Sequence, residues 1–145
     1  MTRKDRYFKY SLDGVMEMAT ESSFKGSAIL KVTYKDKPHL EFNFDKVEGA
    51  ANNFVAFDNK GKPVLQIVYP HDVKDGETYK FDYAADNSWG LQFYGDGDAR
   101  GLAGTVTVIV TDGGDHQALT ITAVYEKEVG KKYVFDGKAD IQYTP

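Results

Sequence analysis

The feature that most constrains this chain is an apolar residue at every second position, recurring in segment after segment. Ala28, Leu30, Val32 and Tyr34 alternate with Ile29, Lys31 and Thr33. Leu40, Phe42 and Phe44 alternate with Glu41 and Asn43, and Tyr79, Phe81 and Tyr83 alternate with Lys80 and Asp82. The same holds for Trp89, Leu91 and Phe93, for Val106, Val108 and Val110, and for Leu119, Ile121, Ala123 and Tyr125. Successive side chains of a strand point to opposite faces, so this period gives each segment one dry face and one wet face. Antiparallel sheets carry that pattern. No segment shows a sustained helical period. The best contender, 15–24, has Met16 and Met18 two apart and reads as a strand as well.

Turn residues punctuate the alternation. Asp13-Gly14 and Asp136-Gly137 suit the positive φ angles of two-residue hairpin turns. Asp112–Asp115, Asp58–Lys62 and Lys35–Pro38 mark further reversals. Gly26, inside its segment, suggests a bulge. The expectation is about twelve short strands, at 6–12, 15–20, 24–34, 39–45, 53–57, 63–69, 77–84, 89–94, 103–111, 116–126, 131–135 and 138–143. A single sheet of that many strands would curl or split. The chain is therefore expected to be one all-β domain over 1–145, an antiparallel two-sheet β-sandwich, with a jelly-roll or an immunoglobulin-like layout both open. A closed β-barrel alternates in the same way and is the alternative fold. The length of 145 residues fits one domain.

Charge and motifs exclude several functions. The net charge is −4, with acids and bases interleaved, so the basic stripe of a nucleic-acid binder is missing and no nucleic-acid partner is expected. There is no cysteine, hence no thiolate nucleophile or disulfide. No apolar run approaches the roughly 18 residues of a membrane-spanning helix. The basic start, Met1 to Arg6, lacks the apolar stretch of a signal peptide. A cytoplasmic protein, a mature form or one exported without such a peptide is expected. The Gly-x-Ser-x-Gly, phosphate-loop and dinucleotide fingerprints are missing, and His39, His71 and His116 lie far apart in sequence, so no enzyme is expected.

Loop length points to a site. If every strand carries the chain from one end of a sandwich to the other, the longer loops 46–52, 70–76 and 95–102 share one end, with 21–23 and 127–130. The short turns, His39 and His116 share the other. Longer loops on a rigid scaffold tend to carry binding residues. The expected ligand-binding set is therefore Asn52, Asn53, Tyr69, His71, Asp72, Tyr94, Asp96, Asp98 and Arg100. Asp96-Gly97-Asp98 offers hard oxygen ligands for a calcium ion, although the position where a calcium loop needs Glu holds Thr107. Asp98 and Arg100 can also pair across the loop. The expected function is a non-catalytic binding module for a sugar, lectin-like, or for a protein surface. The rivals are a lipocalin-like barrel around an apolar small molecule and a self-assembling structural protein. Trp89 is expected in the core, and 105–111, uncharged and β-prone, as a buried central strand.

Overall fold

The period-two segments form strands that pack as two antiparallel sheets. The computed structural model describes residues 24–84 and 90–144. Among them are eleven strands: β1 Phe24–Tyr34, β2 Lys37–Phe44, β3 Lys46–Ala50, β4 Asn53–Phe57, β5 Pro63–Val68, β6 Thr78–Tyr83, β7 Leu91–Phe93, β8 Arg100–Gly101, β9 Ala103–Thr111, β10 His116–Glu128 and β11 Lys131–Tyr143. One sheet has the order β2-β1-β11-β10-β9-β6 and the other β3-β4-β5-β7-β8. Both orders are open, so the molecule is a sandwich and not a closed barrel. No helix of the described residues is long and apolar enough to cross a membrane.

The core lies between the inner faces. Val106, Val108 and Val110 of β9 are essentially fully buried, while Thr107 and Ile109 between them face outward. β9 is an interior strand, between β10 and β6, as its uncharged β-prone sequence requires. Leu119, Ile121 and Ala123 continue this inner face on β10, and Phe135, Ala139 and Ile141 continue it on β11. Phe54, Leu65, Ile67, Leu91 and Phe93 oppose them from the second sheet. Each such large side chain, fully buried, contributes about 1.5–3 kcal/mol.

Two strands run from one sheet into the other. A single residue, Asp45, separates β2 from β3, and a single residue, Leu102, separates β8 from β9. Strands that switch sheets make the corners of a sandwich. The segment 46–52, expected as a loop, is for the most part β3. Its Val47, Gly49 and Ala50 are buried, but their small size leaves little apolar signal. Likewise Arg100–Gly101, inside the expected loop 95–102, pairs with β7.

Asp136-Gly137 is not a turn. Both residues sit in mid-strand, and β11 runs unbroken past them, pairing with β1 and β10. A Cβ on Gly137 would lie 3.1 Å from Leu30 Cδ1 and 3.3 Å from Ile121 Cδ1, so the glycine makes room for its neighbours in the core. Gly26 likewise marks no bulge, since the β1–β11 register is continuous there. Its φ is 156° and a Cβ would meet the Asp140 carbonyl oxygen at 2.0 Å. The irregularities lie instead at Val32/Thr33, Ala56/Phe57 and Glu126/Glu128. The β1–β2 hairpin turns on Lys35 and Asp36, both with positive φ (53° and 62°). The expected strands 6–12 and 15–20, the Asp13-Gly14 turn and Trp89 lie outside the described residues.

Candidate functional site

Of the nine residues expected to form one site, eight fall into two groups and Tyr94 joins neither. Asn52, Asn53, Tyr69, His71 and Asp72 gather near the starts of β4, β6 and β10. Tyr69 is buried, stacks on Phe81 at 5.5 Å and donates from its hydroxyl to Gln117 Oε1 at 2.7 Å. Asn52 accepts the Tyr69 amide, and Asn53 opens β4 opposite Ala50 and Val68. The His71 ring packs edge-on against Tyr79 and Phe81, and its Nδ1 lies 3.0 Å from the Asp72 carbonyl oxygen. Tyr79 pairs with Val108, which pairs with Leu119. The second group surrounds Tyr125, six residues further along β10, or about 20 Å at 3.3 Å per residue.

Shared ends fail because the strands are not all end-to-end. The bends at Asp45 and Leu102 send β2 and β8 across to the opposite sheet, and the alternation of ends stops there. The turn 112–115, expected at the far end from 70–76, is beside it: Gly114 N donates to Asp75 Oδ1 at 3.1 Å. In the same way His39, expected far from Asp96, is its neighbour around a cavity.

That cavity, of about 240 Å³, opens where the inner face of the six-stranded sheet runs past the five-stranded one. Its floor is apolar: Val32 of β1, Leu40 of β2, Phe93 of β7 and Phe135 of β11. Phe93 and Phe135 meet edge to face at 5.0 Å. The rim is polar: His39, Asp96, Arg100, Tyr125, Lys127 and Tyr133. These positions follow from the strand period. Tyr34, Tyr133 and Tyr125 are register partners across β1, β11 and β10, each continuing an inward-facing row of its strand. Beyond the cover of the second sheet they are half-buried rather than core. Tyr34 and Tyr133 stack at 4.8 Å, and His39 packs on Tyr133 at 5.0 Å.

Arg100 organises the rim. Its Nε donates to Asp96 Oδ2 at 3.0 Å, its Nη2 to Asp98 Oδ2 at 3.3 Å and its Nη1 to the Tyr125 hydroxyl at 3.1 Å. The guanidinium carbon lies 5.2 Å from the centre of the Tyr125 ring. The hydrogen bond that the guanidinium donates to Asp96 raises the Arg100 pKa further above its already high value, so the charge is permanent. Both carboxylates once expected to hold calcium are engaged with this cation, and a metal ion there would compete with it. Among the described residues no three His, Cys, Asp or Glu side chains are grouped to hold a metal.

Of the expected set, Asp96 and Arg100 line the cavity and Asp98 braces Arg100 from outside it. Tyr94 does not join them. Its hydroxyl hydrogen-bonds Gln92 and lies 3.3 Å from Gln66 Oε1, on the outer face of the second sheet. His39, Tyr125, Lys127 and Tyr133 were missed. One signal was available for the tyrosines: the inward rows of β10 and β11 end in Tyr rather than in a purely apolar residue. The third histidine, His116, is remote. It bridges Thr111 Oγ1 (2.9 Å) and Asp140 Oδ2 (2.8 Å) on the outer face. Comparison with family models, with curated proteins and with solved structures finds no match.

Proposed function

We propose that this chain is a non-catalytic binding module and that its site is the cavity rimmed by Arg100, with a single sugar ring as the ligand. The observation that carries the reading is the preorganised guanidinium. Three partners hold Arg100 in one geometry beside an open, aromatic-floored cavity. Polar groups fixed before a ligand arrives reduce the ordering cost of binding. Small-molecule sites combine such a few placed polar groups with an apolar lining.

Size selects among ligands. A cavity of about 240 Å³ is smaller than the roughly 300–1,000 Å³ of sites for drug-sized molecules. A single pyranose ring suits it, with its ring CH groups toward the apolar floor and its hydroxyls at the polar rim. A long acyl chain, the ligand of a lipocalin-like barrel, would need a deeper interior than this sandwich offers.

Thermal unfolding with a panel of monosaccharides, fatty acids and calcium tests the reading. A ligand of the native state raises the midpoint, by about 2.7 kcal/mol at one hundred times its dissociation constant. A shift with a sugar, lost in Arg100→Gln, is the expected result. A shift with fatty acids alone would overturn it.

A further inference from the structure

We infer that the sugar bound in this cavity is acidic: a ring carrying an anionic oxygen group such as a carboxylate. This rests on the proposed function and adds the chemical class of the ligand.

The rim keeps hydrogen-bond donors that no protein group uses among the described residues. A guanidinium carries five N–H donors. Arg100 spends three, one from each nitrogen, on Asp96, Tyr125 and Asp98. One N–H on each terminal nitrogen is left without a partner among the described residues. Two such donors on a planar fork match the two oxygens of one carboxylate. The Tyr125 oxygen accepts from Arg100, so its own proton is available to donate. Lys127, at the mouth of the cavity, brings an ammonium with three donors and no acceptor among the described residues.

The one carboxylate of the rim is already engaged. Asp96 gives Oδ2 to Arg100, and its Oδ1 lies 3.4 Å from the Asp98 amide. What remains to address a ligand is therefore donor-rich. Charge points the same way. The lining holds two cations, Arg100 and Lys127; Asp96 and Asp98 both pair with Arg100, and Lys127 is left without an ion-pair partner among the described residues. A neutral sugar's hydroxyls can accept from these donors, but without charge assistance and while carrying a donor of their own. An anionic group accepts only. Charge-assisted hydrogen bonds are roughly twice as strong as neutral ones.

The test is a calorimetric titration of the whole chain with three probes: glucose, glucuronate and glucose 6-phosphate. An acidic probe is expected to bind at least about tenfold tighter than glucose, and the preference is expected to fall with rising salt. Arg100→Gln, Lys127→Gln and Tyr125→Phe, each checked for folding by its thermal transition, are expected to reduce the preference more than they reduce glucose binding. Lys127 is exposed, so its variant keeps the test alive should Arg100→Gln fail to fold. Tighter binding of glucuronate identifies a carboxylate as the anionic group, and tighter binding of glucose 6-phosphate a phosphate. Equal affinity for all three overturns the acidic-ligand inference and leaves the sugar reading standing. No binding of any probe overturns both.

Discussion

The two ends of the sandwich use loops of similar length in opposite ways. At the end where β10 begins, loops are stitched by main-chain hydrogen bonds. Val73 N donates to Ala51 O, Gly76 N to Val110 O, Val110 N to Glu77 O and Tyr143 N to Asp115 O. Beneath them lies Gln117, buried, accepting from the Tyr69 hydroxyl and donating to the Ala50 carbonyl at 2.9 Å. That bridge ties β10 of one sheet to β3 of the other. At the end where β10 finishes, the loop after β7 is braced by one long side chain, Arg100, and a cavity opens beside it. Where the polar groups satisfy one another the end is closed and structural. Where donors are left over, it is available to a ligand. Loop length alone does not distinguish the two; the destination of the polar groups does.

Substitutions at the two ends should therefore differ in kind. The largest loss of stability is expected at the closed end. Gln117→Ala removes two buried hydrogen bonds, the one from the Tyr69 hydroxyl and the one to the Ala50 carbonyl, and the loss of one partner of a buried hydrogen bond costs about 1–3 kcal/mol. Urea unfolding should show a midpoint far below that of the unmodified protein, with ligand binding unchanged in what remains folded. A neutral Gln117→Ala would mean that the bridge does not hold this end.

Alkaline titration sharpens the contrast by probing the seam between the sheets, at a residue that does not line the cavity. Burial pushes the Tyr83 phenol up to about 12, and its hydroxyl donates to Val68 O at 2.9 Å. A folded pKa above the unfolded value near 10 means that the neutral form is favoured by folding. This contribution is full below pH 10 and is lost as pH rises from about 10 to about 12. Tyr83→Phe is expected to remove that component from the pH dependence of unfolding; an unchanged profile would assign the alkaline loss elsewhere.

At the open end, Arg100→Ala is expected to cost less than Gln117→Ala. Its ion pairs lie at the surface, where solvent screening leaves about 0–1 kcal/mol. Its effect belongs in binding instead, and a stability loss matching that of Gln117→Ala would break the comparison. The smallest change is a gain near the cavity. Lys35 and Asp36 occupy positive φ, which Asn and Gly accept more readily. The double change Lys35→Asn with Asp36→Gly should raise stability by roughly 0.5–1 kcal/mol, measured by the thermal midpoint, with affinity unaltered.

The sequence carried most of this fold because burial imposes a period. The bounds expected for β1, β4 and β9 from alternation are those observed, and the inward residues of β9 and β10 are the buried ones. β3 escaped because Val47, Gly49 and Ala50 are too small to make a stripe, and the bend at Asp45 carries no turn residue pair. Gly137 misled because the same residue serves a hairpin's positive φ and a core's lack of space, and only the Leu30 and Ile121 contacts tell which. The candidate site was half legible. Asp96, Asp98 and Arg100 are close in sequence, so their pairing shows. His39, Tyr125, Lys127 and Tyr133 come from strands whose meeting depends on where the chain changes sheets, at Asp45 and Leu102, which no local pattern encodes.

The most direct test of the central claim is a two-dimensional amide NMR titration of the intact chain with glucuronate. Shifts are expected to concentrate at residues around Arg100, Tyr125, Lys127 and His39, with those around Tyr69, His71 and Gln117 unmoved. Shifts centred on the Tyr69–Gln117 end, with the Arg100 end silent, would contradict it.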